Sequence, residues 1–277
     1  MVTVRELLRS GADLPTESAH RDAEILLSHC LGKPRAWLYT WPEQAVSPEC
    51  ASRYDKLLSR RRAGHPVAYL TGEREFWTLQ LAVNSATLIP RPETETLVSW
   101  ALDLPLADAA RVLDLGTGSG AIALALASER PGWHLTGVDA SVDALKVARD
   151  NGLRTGFARV EFLYSDWYRE LGARRFDLLL ANPPYIDGGD DHLARGDVRF
   201  EPRSALVSGD GGLADLTKLV AGASRHLHAN GWLLLEHGYA QAAEVRDLLR
   251  KAGFADVATR RDLEGNERAT GGRRHAD

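Results

Sequence analysis

Four residues, Asn182-Pro183-Pro184-Tyr185, are the group in this chain best suited to hold a reacting atom. They follow the apolar run Phe176–Ala181, whose length and bounds fit a buried strand. Two adjacent prolines fix φ and remove two backbone donors, so the turn offers carbonyl oxygens. The Asn182 side chain adds another carbonyl acceptor, and Tyr185 supplies an aromatic face for a planar group. Such a loop can hold a planar NH2, accepting its two protons while a ring lies against its plane. An amide or exocyclic amine nitrogen is weakly nucleophilic because its lone pair is delocalised. Acceptors that localise that lone pair toward an electrophile act most strongly in the transition state. Neither a metal nor a covalent nucleophile is required. The two cysteines, Cys30 and Cys50, lack the close spacing of a zinc site.

A second constellation supplies the partner in that chemistry. Asp114-Leu115-Gly116-Thr117-Gly118-Ser119-Gly120 follows one apolar run and opens a helical pattern. Glycines permit a tight turn and close approach of a ligand to the backbone. The exposed amides suit an anionic group such as a carboxylate. Asp139 comes nineteen residues after Gly120, at the end of the next apolar run. A carboxylate there can accept hydrogen bonds from both hydroxyls of a ribose. NAD and S-adenosylmethionine both place an adenosine ribose against such an acid. A dinucleotide turn reads G-x-G-x-x-G, whereas here the third glycine comes one residue early. That departure favours S-adenosylmethionine, whose methionine carboxylate, not a pyrophosphate, meets the turn. With the Asn182 loop, the pair reads as methyl transfer to a side-chain amide or amine nitrogen.

The elements that must position these residues are legible in the hydrophobic pattern. The first part of the chain reads as helical. Thr3 and Glu6 have capping-box spacing before Val4–Arg9. Ala23, Leu26, Leu27, Cys30 and Leu31 recur at helical spacing. Ser47-Pro48 opens a helix that runs toward Arg62. From Phe76 to Val83 the pattern alternates, and Asn84-Ser85 is a turn signal before Thr87-Leu88-Ile89, which predicts a β-hairpin. Beyond Pro92, short apolar runs (Arg111–Leu115, His134–Asp139, Val160–Tyr164, Phe176–Ala181, Trp232–Glu236) alternate with helical patterns (Ser119–Arg130, Ser141–Leu153, Leu213–Leu227, Ala240–Lys251). The expected fold is α/β, a doubly wound, mostly parallel sheet of the class I methyltransferase, Rossmann-like kind. The expected domains are a small N-terminal helical domain at 1–72, a connecting β-hairpin at 73–91 and the cofactor domain at 92–277. The polar, glycine- and aspartate-rich stretch 186–212 is long enough to be a functional loop, and the tail beyond Gly271 is expected to fray.

Composition limits the partners. The 277 residues are 44% hydrophobic and 26% charged, with a formal net charge of −4. That charge disfavours wholesale nucleic-acid binding, which ordinarily rests on a basic excess. Few cysteines and no membrane-length apolar run fit a reducing cytoplasm and no membrane partner.

Longer stretches carry a resemblance. Arg21-Asp22-Ala23-Glu24-Ile25-Leu26-Leu27, Tyr69-Leu70-Thr71-Gly72, Arg74-Glu75-Phe76-Trp77 and Leu88-Ile89-Pro90-Arg91-Pro92-Glu93-Thr94-Glu95 belong to it. So do the cofactor turn, Asn182 to Ile186, Asp197-Val198-Arg199-Phe200-Glu201-Pro202, Leu235-Glu236-His237-Gly238 and Arg261-Asp262-Leu263. Across nearly its whole length the chain resembles the release-factor glutamine methyltransferases, the PrmC/HemK family. The resemblance implies S-adenosylmethionine as cofactor. It implies, as substrate, the glutamine of the Gly-Gly-Gln motif in class I peptide-chain release factors, methylated at N5. By the same resemblance Gly116, Thr117, Gly118, Ser119, Gly120 and Asp139 form the cofactor site, Trp167 lies beside the adenine, and Asn182 touches both cofactor and substrate. Asn182, Pro183, Pro184 and Tyr185 would hold the glutamine amide.

Two other readings compete. An adenine-N6 DNA or RNA methyltransferase would share the Asn-Pro-Pro-Tyr loop but needs a basic surface to hold a flipped base. A non-catalytic nucleotide-binding module would not need that loop intact. Of the remaining residues, Arg60-Arg61-Arg62 reads as a solvated helix end, Arg91 as a structural partner of Glu93 or Glu95, and His237 as a hydrogen-bonded structural histidine, because the cradle needs no strong base.

Overall fold

A computed structural model describes residues 2–275. The chain divides into two compact units, Met1–Glu73 with Ala194–Phe200, and Arg74–Leu193 with Glu201–Asp277.

Among its described residues the first unit contains five α-helices, α1 (Val4–Ser10), α2 (Ala19–Leu31), α3 (Arg35–Thr40), α4 (Pro48–Arg62) and α5 (Val67–Thr71). The capping box is present: Thr3 Oγ1 accepts from the Glu6 amide at 3.3 Å, and the Glu6 carboxylate accepts from the Thr3 amide at 2.8 Å. Ser47 caps α4 by accepting from the Cys50 amide at 3.2 Å, with Pro48 at the first helical position. Val4, Leu7, Leu26, Leu27, Leu38, Tyr54 and Leu58 converge in one apolar core. The arginine run departs from its expected solvated character. Arg61 is buried and donates to Asp22 at 2.8 Å and to Asp197 at 2.7 Å. A guanidinium taken out of water must be paired. Its partners lie 39 and 136 residues away, beyond any local pattern. The Asp197 pair helps to fasten the Ala194–Phe200 segment within this unit, and Arg199 adds a bond from its guanidinium to the Ala63 carbonyl at 3.2 Å.

Next come β1 (Glu73–Phe76) and β2 (Leu79–Ala82), which pair as a small two-stranded sheet. The sequence reading put the reversal of this hairpin at Asn84-Ser85. It lies instead at Trp77-Thr78, with Trp77 at φ 55°. Tertiary bonds hold this left-handed tryptophan: its amide donates to Glu95 at 2.8 Å, and its indole N–H donates to Glu129 at 2.7 Å. Thr87-Leu88-Ile89 is not a strand.

There follow α6 (Glu95–Asp103), β3 (Arg111–Leu115), α7 (Ala121–Glu129), β4 (His134–Asp139), α8 (Val142–Arg154), β5 (Glu161–Tyr164) and β6 (Phe176–Ala181). Next come a two-stranded pair, β7 (Ile186–Asp187) and β8 (Val207–Ser208), and the turn α9 (Gly209–Gly212). The chain closes with α10 (Ala214–His226), β9 (Leu227–Glu236), α11 (Ala242–Lys251), β10 (Phe254–Arg261) and β11 (Glu267–Arg274). Seven strands form one sheet in the order β10-β11-β9-β6-β3-β4-β5, and its core from β9 to β5 is parallel. Its strands are buried on both faces, as parallel sheets require. Val112, Leu178, Leu180 and Leu234 face one core with α6 and α7, while Leu113, Leu115, Leu179, Leu233 and Leu235 face the other with α10 and α11. Each fully buried leucine contributes about 1.5–3 kcal/mol relative to exposure.

The C-terminal end differs from expectation. Gly271 to Arg274 do not fray: they belong to β11, which is inserted between β10 and β9 with Gly271 opposite Leu234, while the last two residues of the expected tail lie outside the described residues. A Cβ at Gly271 would lie 2.4 Å from Leu234 Cδ2 and 2.8 Å from the Leu233 carbonyl. The glycines that resemble a loose tail are there because the strand lies close against its neighbours.

Candidate active site

Strand order reverses at β3: β4 and β5 continue to one side, and β6 and β9 to the other. Ligands in such sheets bind at this reversal, beyond the carboxyl ends of the strands. Leu115 at the end of β3 is in register with Ala181 at the end of β6, and Asp139 ends the neighbouring β4. The glycine turn, the acid and the Asn182 loop, far apart in sequence, thereby open on one cavity of about 360 Å³, within the range of small-molecule pockets.

The turn is held from below. The amides of Gly116 and Thr117 both donate to the Val138 carbonyl at 2.9 Å. Thr117 Oγ1 donates to Asp114 at 2.6 Å. Burial pushes the Asp114 carboxyl up to about 7 despite that bond. Gly116 has φ 75°, and a Cβ on it would fall 3.2 Å from the Trp167 ring, so glycine serves here both the backbone and the aromatic packed on it. Gly116, Thr117, Gly118 and Ser119 line the cavity; Gly120 does not, and starts α7.

Asp139 is already engaged. One carboxylate oxygen accepts from the Gly118 amide at 2.9 Å, and the other accepts from the Ser141 amide at 2.8 Å. Burial raises its proton affinity, and these two backbone bonds oppose the rise. Each oxygen keeps a second lone pair, so the carboxylate can both shape the turn and accept a ribose hydroxyl on each side. Asp139→Ala should weaken S-adenosylhomocysteine binding by about 1.5–3 kcal/mol, on the order of 10- to 100-fold. Isothermal calorimetry reads this directly, and an unchanged affinity would remove Asp139 from the site.

Trp167 lies beyond β5, half-buried, at φ 51°. Its indole N–H donates to Asp215 at 3.3 Å, and its carbonyl accepts from Ser165 Oγ at 2.7 Å. Asp215 is fixed in turn by Ser208 Oγ at 2.7 Å, and both Trp167 and Asp215 reach the cavity wall. Trp167 is thus a wall of the pocket as well as a core contact.

In the Asn182 loop, Asn182 and Pro184 line the cavity. Pro183 is buried beneath them, and Tyr185 is half-buried, tied through its hydroxyl to Glu236 at 3.2 Å and through its carbonyl to Gln241 at 3.1 Å. Asn182 Nδ2 donates to Thr94 Oγ1 at 3.1 Å. Burial pushes the Tyr185 phenol up, with the Glu236 charge adding to it, so the ring stays neutral. Burial likewise pushes Glu236 up to about 7, against the Thr94 hydroxyl and Arg268.

Sequence reasoning gave no role to Thr94, Glu201, Asp215 or Glu236. Glu236 ends a leucine-rich parallel strand as Asp139 does, and that shared signal could have found it. Arg91 pairs with Glu201, not with Glu93 or Glu95, and the Glu201 carboxylate also accepts from the Ile89 amide at 2.9 Å. His237 is fully buried between the Gly238 carbonyl (2.9 Å) and Thr270 Oγ1 (2.8 Å), a structural histidine.

Comparison with known proteins finds relatives over nearly the whole chain. A family profile described as the PrmC N-terminal domain matches residues 5–72, and one described as the methyltransferase small domain matches residues 94–213. The chain is 53% identical over 258 residues to a release factor glutamine methyltransferase of Shewanella oneidensis, covering 93% of this chain and 90% of that protein. It is 53% identical to one of Pseudomonas aeruginosa over 98% of each chain. A solved methyltransferase from Pyrococcus furiosus, 17% identical, shares the fold at a TM-score of 0.55, covering 81% of this chain and 100% of that one.

Proposed function

Because this chain belongs to the release factor glutamine methyltransferase family, we propose that its Asn182 loop holds a release-factor glutamine amide against the cofactor cavity and methylates its nitrogen. The enzyme is an S-adenosylmethionine-dependent methyltransferase of the class I α/β fold. The observation that carries the site assignment is the sheet register. Leu115 beside Ala181 brings the Gly116–Ser119 turn and Asn182 to one cavity.

The residues present fit this cofactor. Gly116 to Ser119 would meet the methionine end, Asp139 the ribose and Trp167 the adenine. S-adenosylmethionine supplies an electrophilic methyl group on a sulfonium. Asn182 offers its side-chain carbonyl to a proton of the glutamine NH2. Pro183 and Pro184, lacking N–H groups, leave backbone carbonyls as the loop's other acceptors. Accepting both protons directs the lone pair out of conjugation, and the contacts strengthen as positive charge grows on nitrogen. The neutral Tyr185, pinned at its hydroxyl, steadies the aromatic side of the cradle.

The proposed partners are class I release factors, met through the glutamine of their Gly-Gly-Gln motif, with no direct nucleic-acid substrate. The helical unit carries its own core and leaves Tyr39 and Trp41 exposed; it is the proposed release-factor recognition element. No helix among the described residues is long and apolar enough to cross a membrane. Translation factors are the substrate, so the proposed location is the cytoplasm.

One experiment tests this reading. Labelled S-adenosylmethionine is incubated with a class I release factor and, separately, with adenine-containing DNA. The full chain and a chain beginning at Glu73 are compared. Label should enter the release factor and not the DNA, and the shortened chain should bind cofactor but lose most transfer. Comparable labelling of DNA would overturn the substrate assignment, and full activity of the shortened chain would overturn the recognition role.

A further inference from the structure

Pro183 and Pro184 have no N–H, so the middle of the Asn182 loop has no main-chain donor with which to fasten itself. The loop must be held from outside, and one half-buried side chain, Gln241, holds its main chain. Gln241 Nε2 donates to the Tyr185 carbonyl at 3.1 Å and to the Gly211 carbonyl at 3.3 Å. Gln241 Oε1 accepts the Gly238 amide at 2.9 Å. Backbone groups have fixed roles, since an N–H only donates and a C=O only accepts. All three partners are backbone groups, so one orientation of the Gln241 amide satisfies every contact and the orientation turned by 180° satisfies none. Gln241 stands at the N-cap of α11, yet its side chain makes no cap bond to that helix. Its amide serves other segments instead.

Tyr185 and Gly211 bracket the polar stretch 186–210, which returns to the cavity wall at Pro202, Ser204 and Ala205. One NH2 therefore clasps both ends of that stretch. The packing there is close. Gly212 is buried at φ 89°, and a Cβ on it would fall 2.1 Å from the Tyr185 carbonyl oxygen and 2.7 Å from Gln241 Nε2. Only a residue free to take that conformation lets the turn lie against Tyr185. The third contact refers the clasp to the sheet: Gly238 lies just beyond β9, whose Leu235 is in register with Ala181 at the start of the loop. We propose that Gln241 is a positioning residue that, by tying the Tyr185 carbonyl to Gly238 and Gly211, holds the Asn182–Tyr185 loop where its acceptors meet the substrate nitrogen. Gln241 lies off the cavity wall and acts only through the loop. The inference rests on the amide-cradle reading above and adds what keeps the cradle in place.

Gln241→Glu keeps size and the acceptor for Gly238, but it turns a carboxylate oxygen toward two carbonyls and leaves them without a donor. Turnover on a release factor should fall roughly 10- to 100-fold, the cost of displacing reacting groups by about 1 Å. Affinity for S-adenosylhomocysteine should stay within about threefold of wild type, as expected where only positioning is lost. Gln241→Lys makes the opposite exchange, with donors for the two carbonyls and no acceptor for Gly238. It should turn over faster than Gln241→Glu, an order that a role confined to opening α11 does not produce. Amide hydrogen exchange reads the clasp without substrate. The Ile186 amide, bonded to the Leu206 carbonyl at 3.0 Å, should exchange faster in Gln241→Glu than in wild type or Gln241→Lys. Gln241→Met removes all three bonds without adding charge and should show the same loss of turnover and faster exchange, which decides the matter should Gln241→Glu fold poorly. Wild-type turnover in Gln241→Glu or Gln241→Met, cofactor affinity falling in step with turnover, or Gln241→Lys slower than Gln241→Glu would overturn the proposal. The wild-type assay keeps the two readings apart. No transfer to the release-factor glutamine by wild type would end the cradle reading, whereas normal wild-type transfer with an indifferent Gln241→Glu would end this inference alone.

Discussion

Asn182→Ala should slow methyl transfer by about 100-fold or more, as loss of a preorganised transition-state contact does elsewhere. Affinity for S-adenosylhomocysteine should fall much less, because the proposed cofactor contacts are spread over the Gly116 turn, Asp139 and Trp167, all on the cavity wall. The size of the effect follows from when the contact is made. In the ground state the glutamine nitrogen shares its lone pair with its carbonyl and gives little to any acceptor. As the methyl group arrives, the nitrogen gains positive charge and its N–H bonds become strong donors to the Asn182 carbonyl. An interaction that is stronger in the transition state than before it lowers turnover when removed, more than it lowers binding. The surroundings add rigidity: Asn182 is tied to the buried Thr94, and Tyr185 to the buried Glu236. Single-turnover kinetics beside calorimetry separate the two quantities. A variant with near-normal turnover would refute the amide cradle.

Replacing the glutamine of the release factor's Gly-Gly-Gln loop by alanine should abolish transfer, and mass spectrometry of the unaltered factor should find one methyl group on that glutamine peptide. The loop geometry admits any planar NH2, so the choice between amide and adenine rests on how the group is delivered. Adenine must be swung out of a stacked helix at a cost of a few kcal/mol. A nucleic-acid enzyme recovers that cost through phosphate contacts, which makes affinity fall steeply with salt. This chain has a formal net charge of −4. A glutamine flanked by glycines needs no phosphate track, because a backbone without Cβ atoms can enter a narrow crevice. Methylation of a release factor lacking that glutamine would sink the assignment.

Much of this site is written in short stretches of sequence. The G-x-G-x-G turn, the acid nineteen residues on, the Asn-Pro-Pro-Tyr loop, the capping box at Thr3 and the N-cap at Ser47 depend on residues within a few positions of one another, or on one strand–helix–strand unit. Strands buried on both faces announce themselves as leucine- and valine-rich runs. Hence the five parallel strands and the helices between them were legible, as was the identity of the groups that could do chemistry.

The sequence alone did not fix which strand ends become neighbours. β3, β4, β6 and β9 bring Gly116, Asp139, Asn182 and Glu236 to one edge only through the order of the sheet. Thr94 meets Asn182 across 88 residues, and Glu201 meets Arg91 across 110. The turn of the first hairpin followed the same rule. Asn84-Ser85 has the better turn residues, yet Trp77 takes the left-handed position because Glu95 and Glu129 hold it there. The glycine-bearing C-terminal stretch became an interior strand because only a chain without side chains at Gly271 fits beside Leu234. Periodicity and turn chemistry act over a few residues and can be read from them. Strand pairing is made by backbone groups that nearly every residue carries, so the partner is chosen by how the whole set of faces packs, and that choice exists only in the folded chain.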